Sequence, residues 1–260
     1  MTTLPTPLQT LLAVVGGYRA RVFQARGITL ALVAVAPMAL LTLVVLLVRR
    51  HEPVSPTAAL SVFHLVIVPF LLPILALVAA PAGIREDIEQ RTLPLMLVRP
   101  QPVWVLPLAK GLLWFAWGAP WLVVSSLFLP VLGLDPARLP LIAFALVLTY
   151  WAQLGFLSLL TLVFKRGILW GALVFFAWDP LVRIMPSNLQ RFTFLHYIES
   201  LVGSRGGGVN AAQVLAQDQI STAPWVAALV LLAIGLAAWI TCGAKLQSMP
   251  IGLAGREAEG

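Results

Sequence analysis

GIREDIEQRTLPLMLVRPQPVWVLPLAK, residues 83–110, is the stretch around which the chain is organised. It holds seven of the chain's 27 Lys, Arg, Asp and Glu residues, and long apolar runs flank it on both sides. Arg85 and Glu89, like Asp87 and Arg91, stand four apart and can pair along one helical surface. Thr92 offers a hydroxyl cap ahead of Leu93-Pro94, and proline is tolerated only in a helix's first turn. The stretch therefore predicts a charged helix leaving the membrane, a turn, a short apolar helix over 93–98, and a second turn at Pro100-Gln101-Pro102. A solvated loop with ordinary membrane-flanking charges is the simpler alternative.

The surrounding composition excludes an ordinary soluble domain. Hydrophobic residues make up 60% of the 260, charged residues 10%, and the mean hydropathy is +0.95. Such a chain is an all-α polytopic membrane protein, with the bilayer as its first partner. The net charge of +7 would point to nucleic acid in a soluble protein. Here the basic residues gather between apolar runs, where they set topology and meet anionic headgroups, so no nucleic-acid partner is expected. The single cysteine, Cys242, excludes an intramolecular disulfide and a cysteine metal cluster. The apolar patch at 11–15 is too short, and lacks the preceding basic region, for a cleavable signal.

Taken in order, residues 1–26 space Leu8, Leu11, Leu12, Val15 and Tyr18 helically and follow them with Arg19, Arg21 and Arg26, which predicts an amphipathic helix lying in the interface. Six spans are expected, at about 27–48, 57–80, 106–131, 139–164, 167–184 and 223–242, within a single transmembrane domain. Residues 83–105 form a cytoplasmic segment. Ser55-Pro56 reads as a cap and first helical position for the second span. Residues 185–222 form an outer segment, whose first half carries Leu189, Phe192, Leu195, Tyr197, Ile198, Leu201 and Val202 as the apolar set of a half-embedded helix. Asn210 with Gln213 resembles a capping box.

Within the spans, a few residues stand out as candidates for an intramembrane polar site or a substrate path. His64 is ionisable at membrane depth, although one hydrogen bond to a neighbouring backbone would also account for it. Lys110 lies in the first turns of the third span, where its stem can carry the ammonium back to the interface. Trp114, Trp117 and Trp121 form one stripe, suited either to packing or to lining a hydrophobic substrate. Asp179 and Arg183 are four apart near the outer end of the fifth span, an economical ion pair, and Pro180 between them predicts a kink. No phosphate-cradling glycine loop with its lysine occurs, and His51, His64 and His196 share no metal-ligand spacing. No catalytic residue, cofactor or metal site is expected in this chain.

Orientation follows from the 17 basic residues. With six spans and both termini cytoplasmic, the inner side holds eleven: Arg19, Arg21, Arg26, Arg85, Arg91, Arg99, Lys110, Lys165, Arg166, Lys245 and Arg256. The outer side holds six, Arg49, Arg50, Arg138, Arg183, Arg191 and Arg205. The bias places the termini inside, with Arg49-Arg50 as its two exceptions.

The order of an acidic helix, Glu89-Gln90-Arg91-Thr92-Leu93, an apolar turn, Arg99-Pro100, and a run opening on Leu108-Ala109-Lys110 resembles the permease subunits of ABC type-2 exporters. The family often has glycine where Arg91 stands, and arginine also occurs there. The resemblance covers the six-span layout, with recognisable residues only over about 81–110. It implies a coupling helix that docks on a separate ABC ATPase subunit, with Arg85, Glu86, Asp87, Glu89, Arg91, Thr92, Leu93 and Leu95 as the docking residues. It also implies a second permease copy or a similar permease, a bacterial-type inner membrane, and ATP hydrolysis on the partner chain. A haem-export permease of cytochrome c maturation shares the span count and acidic loop. A non-transporting anchor relaying ATPase work to an outer partner is a further alternative.

The topology is open to test by cysteine labelling with Cys242 replaced. A membrane-impermeant reagent is expected to label a cysteine placed at Gly207 and to miss one placed at Glu89. The reverse pattern would overturn the orientation.

Overall fold

The computed structural model describes residues 9, 12, 13, 15–17, 25–48, 59, 60, 62–82, 84–90, 104–182, 187–203 and 222–248. All of their regular structure is helical, and four helices are long and apolar enough to cross a membrane. These are α1 (Ala25–Val48), α4 (Val105–Ser126), α5 (Leu139–Val163) and α8 (Pro224–Ser248). Between them lie two shorter apolar helices, α2 (Phe63–Ala79) and α6 (Gly167–Val182), the five-residue α3 (Arg85–Glu89), and α7 (Phe194–Val202). Of the expected entry helix, residues 9, 12, 13 and 15–17 are helical and the rest of 1–24 lies outside the described residues.

Proline shapes both short helices. Without an N–H, and with a ring that crowds the preceding turn, proline interrupts the i→i−4 ladder of a helix. In α2, Pro69 falls inside a nine-residue π stretch, Phe63–Leu71, and Pro73 opens the α-helical part that follows. The wider turn shows at Leu72, whose N–H donates to the Ile67 carbonyl five residues back. In α6 a wider turn lies just before Pro180. Val174–Trp178 is π-helical, and the Asp179 N–H reaches the Val174 carbonyl.

Two seams hold the long helices together. Along the first, Trp117 Nε1 donates to the Gly27 carbonyl at 3.1 Å and Ser125 Oγ to the Ala34 carbonyl at 2.6 Å. Both positions advance in the same direction, so α1 and α4 run parallel. Along the second, α5 packs on α8 through glycines filled by tryptophans. A Cβ on Gly235 would enter the Trp151 indole, one on Gly111 of α4 would enter Trp239, and one on Gly155 would lie 3.1 Å from the Gly235 carbonyl. Gly118 of α4 faces Tyr150 in the same way, with α4 and α5 antiparallel. Lipid offers helices no hydrophobic drive to associate, so close approach at small residues and interhelical hydrogen bonds must supply it.

Several expected boundaries shift. The third span ends at Ser126 rather than 131, because Leu127–Leu134 turns back through i→i−3 bonds and buries Leu129, Leu132 and Leu134 against the bundle. The last helix continues past Cys242 to Ser248, since Leu246 packs with Ile84, Leu106, Leu162 and Cys242 in a cluster of its own. The half-embedded outer helix divides into the turn Ser187–Gln190 and α7. Thr193 caps α7 by accepting from the His196 N–H, and Gly203, at φ 66°, ends it. Leu189 and Phe192, expected in its apolar set, are exposed, whereas Leu195, Ile198, Leu201 and Val202 are buried. Asn210 and Gln213 lie outside the described residues.

The tryptophan-filled seam gives a direct stability test. Gly235→Val is expected to destabilise the purified protein by about 1–3 kcal/mol through overpacking against Trp151. Ile240→Val, on the exposed face of the same helix, is expected to stay within about 0.5 kcal/mol. Thermal melting of both in detergent checks the contrast.

Candidate functional site

The charged helix α3 is seated on one end of the bundle rather than extended into solvent. Its N-terminal neighbour Ile84 is buried and Ile88 is partly buried in a cluster with Leu106, Leu162 and Leu246, side chains that come from α4, α5 and α8. Between these apolar contacts the Asp87 carboxylate pairs with the Lys110 ammonium of α4. Their side chains are 0% and 1% exposed, so Lys110 does not carry its charge out to water as expected from its stem length. The ammonium ends beneath α3, on the carboxylate. Arg91, the expected i+4 partner of Asp87, lies outside the described residues.

Arg85 does pair with Glu89, at 2.6 Å, and its guanidinium also donates to the Lys165 carbonyl at 3.5 Å in the turn between α5 and α6. Gln90 Nε2 donates to Glu86 Oε1 at 3.0 Å. The helix therefore has two sides. Ile84, Asp87 and Ile88 hold it down, while Glu89 and Gln90 are exposed and Glu86 is partly so. Of the residues expected to dock an ATPase, Asp87 is an internal anchor, and Glu86 and Glu89 belong to the outer side. Arg91, Thr92, Leu93 and Leu95 lie outside the described residues.

The tryptophan stripe divides between two neighbours. Trp117 and Trp121 form an edge-to-face pair with centroids 5.8 Å apart, and Trp117 bonds α1. Trp114 is buried, and its carbonyl accepts from the Tyr150 hydroxyl at 3.4 Å. Trp114 and Trp117 thus each make a contact with a neighbouring helix.

At the opposite end, His64 Nδ1 faces Glu199 Oε1 of α7 at 3.7 Å, and the His64 ring meets Phe63 edge-on. Asp179 is buried and lines one cavity with Phe194 and Leu195 of the first turn of α7. A carboxylate there complements the positive end of the helix dipole. Arg183, the expected partner of Asp179, lies outside the described residues. Beside Asp179 a cavity of about 20 Å3 separates α2, α5, α6 and α7, and Thr149 and Gln153 of α5 contribute to its lining. No sequence motif marks Thr149, Gln153 or Glu199. A glutamine and a threonine four apart at the centre of an apolar run were the available signal.

The buried pair makes a sharp prediction. Lys110→Met alone is expected to destabilise the protein by about 3–5 kcal/mol, because it strands the Asp87 carboxylate. Asp87→Leu combined with Lys110→Met is expected to recover most of that loss. Denaturation of the single and double variants measures the difference, and failure to recover would show that one of the two groups has a further partner.

No protein-family model matches the chain, and no curated protein matches its sequence.

Proposed function

We propose that the chain is the membrane subunit of an ATP-driven exporter of the ABC type-2 kind, working with a separate ATPase subunit. The observation that carries this is the construction of α3. Its inner side is fixed to α4 by a buried ion pair and to α5 and α8 by apolar contacts, while its outer side presents Glu89 and Gln90. A push on such a helix reaches several membrane helices at once. The sequence motif at 89–100 and its position after the second apolar helix agree with that use.

In this proposal six helices cross the membrane. At 1.5 Å per residue, α2 and α6 span roughly 26 and 24 Å, short for a core of about 30 Å, and the helical residues 59, 60 and 62 lengthen α2. The helix directions support alternation, because α1 runs parallel to α4, α5 runs parallel to α8, and α4 opposes α5. The basic bias puts α3 and both termini on the cytoplasmic side of a bacterial-type inner membrane. A second copy or a similar permease completes the transmembrane unit, and ATP is hydrolysed on the partner chains. Nucleotide then acts through differential contact of the ATPases with two arrangements of the bundle.

Glu89→Arg reverses a charge on the exposed side of α3, and Leu95→Asp places a carboxylate where an apolar contact is expected. Both are expected to abolish co-purification with the ATPase and its stimulated hydrolysis, while detergent stability stays at the wild-type level. Arg256→Glu in the tail serves as the control. Wild-type binding and hydrolysis in both variants would refute the docking role and leave α3 as a structural plug.

A further inference from the structure

The cavity between α2, α5, α6 and α7 combines apolar walls with buried oxygen atoms. Val68, Pro73, Phe175, Phe194 and Ile198 supply the walls, and Thr149, Gln153 and Asp179 supply the polar lining. Gln153 is 3% exposed and Asp179 7%, and among the described residues neither Gln153 Oε1 nor Asp179 Oδ1 has a hydrogen-bond partner. Thr149 donates its hydroxyl proton to the Ala145 carbonyl at 2.8 Å, which leaves only lone pairs for a ligand. The two unpartnered atoms, Gln153 Oε1 and Asp179 Oδ1, are acceptors. Buried acceptors call for a donor or a cation.

Size and charge narrow the choice. A volume of about 20 Å3 exceeds the ~10–15 Å3 that one water requires, and it is too small for a hydrated divalent ion. A bridging water could satisfy two acceptors beside a protonated Asp179 carboxyl, whereas an ionised one calls for a positive charge. The N-terminus of α7 offsets only part of the carboxylate charge, roughly half a unit. The donors are hard oxygens, and among the described residues no group of three His, Cys, Asp or Glu gathers to hold a transition metal. One carboxylate with neutral oxygens matches one positive charge.

We propose that this cavity is a binding site for a small dehydrated monovalent cation, sodium by size, held by Asp179, Gln153 and Thr149. The site stands independently of the ATPase-coupled function. Occupancy ties α5 to α6 and, through the cavity lining shared with the first turn of α7, to the helix that covers that end of the bundle.

The test is thermal melting of the purified full-length protein in sodium, potassium or choline chloride at matched ionic strength. Sodium is expected to raise the wild-type Tm by about 2–4 °C over choline, with a saturable dependence and a smaller effect of potassium. Gln153→Leu and Asp179→Asn are expected to abolish the sodium increment, and His64→Gln, outside the cavity, to retain it. Should Asp179→Asn not fold, Gln153→Leu decides alone, because an apolar side chain of similar size keeps the packing. Equal melting of the wild type in sodium and choline would overturn the proposal in favour of a bridging water. A sodium increment that survives in Gln153→Leu would overturn it too. So would a sodium response that arises only in Arg183→Gln, since the arginine would then be the counter-charge.

Discussion

In hydrocarbon a backbone N–H or carbonyl has no water to turn to, and this constraint governs the protein more than any single contact. The chain carries 20 prolines, several of them inside apolar helices. Each removes one donor and frees a carbonyl one turn earlier. Beside Pro69 and Pro180 the helix widens to a π register, so that the Leu72 and Asp179 N–H groups bond five residues back. Neither helix breaks, and both remain within the bundle. The two widened stretches also meet, through Phe70 and Phe176 stacked with centroids 6.2 Å apart.

The same absence of water changes how helices find one another. Apolar faces gain nothing by leaving lipid, so the bundle uses shape and hydrogen bonds. Glycines at 111, 118, 155 and 235 admit aromatic side chains from neighbouring helices. Serine and tryptophan side chains of α4 reach carbonyls of α1. Charges follow a parallel rule. Asp87 meets Lys110, so each buried charge of that pair is matched by a partner of opposite sign.

Much of this layout is legible in the sequence, because apolar runs of membrane length between prolines, glycines and basic residues have few alternatives. The four longest helices and the existence of α3 follow from that pattern. The end of α4 does not, since Leu127–Val131 is as apolar as the span before it and turns inward instead of continuing. The end of α8 is hidden for the opposite reason, because Gly243 and Lys245 resemble a terminus while Leu246 still has a cluster to fill. Pairing is the least legible layer. Spacing along one helix assigns Asp87 to Arg91, whereas folding brings it to Lys110 on another helix, and nothing local links Thr149 and Gln153 to Asp179. Contacts of that kind belong to the bundle, not to any one segment.

The Asp87–Lys110 pair also bears on the order in which the chain enters the membrane. Lys110 sits in the opening turns of an apolar helix, and the carboxylate that neutralises it has already emerged from the ribosome when it arrives. The two charges are separated only by the residues that link α2 to α4, so they can meet once this hairpin has formed, before α5 and α8 exist to cover them. Leu162, Cys242 and Leu246 complete the apolar cluster of Ile84 and Leu106. The costly step of biogenesis, sealing an ammonium under protein, is thereby resolved early and locally, and the later helices have only apolar surface to fit.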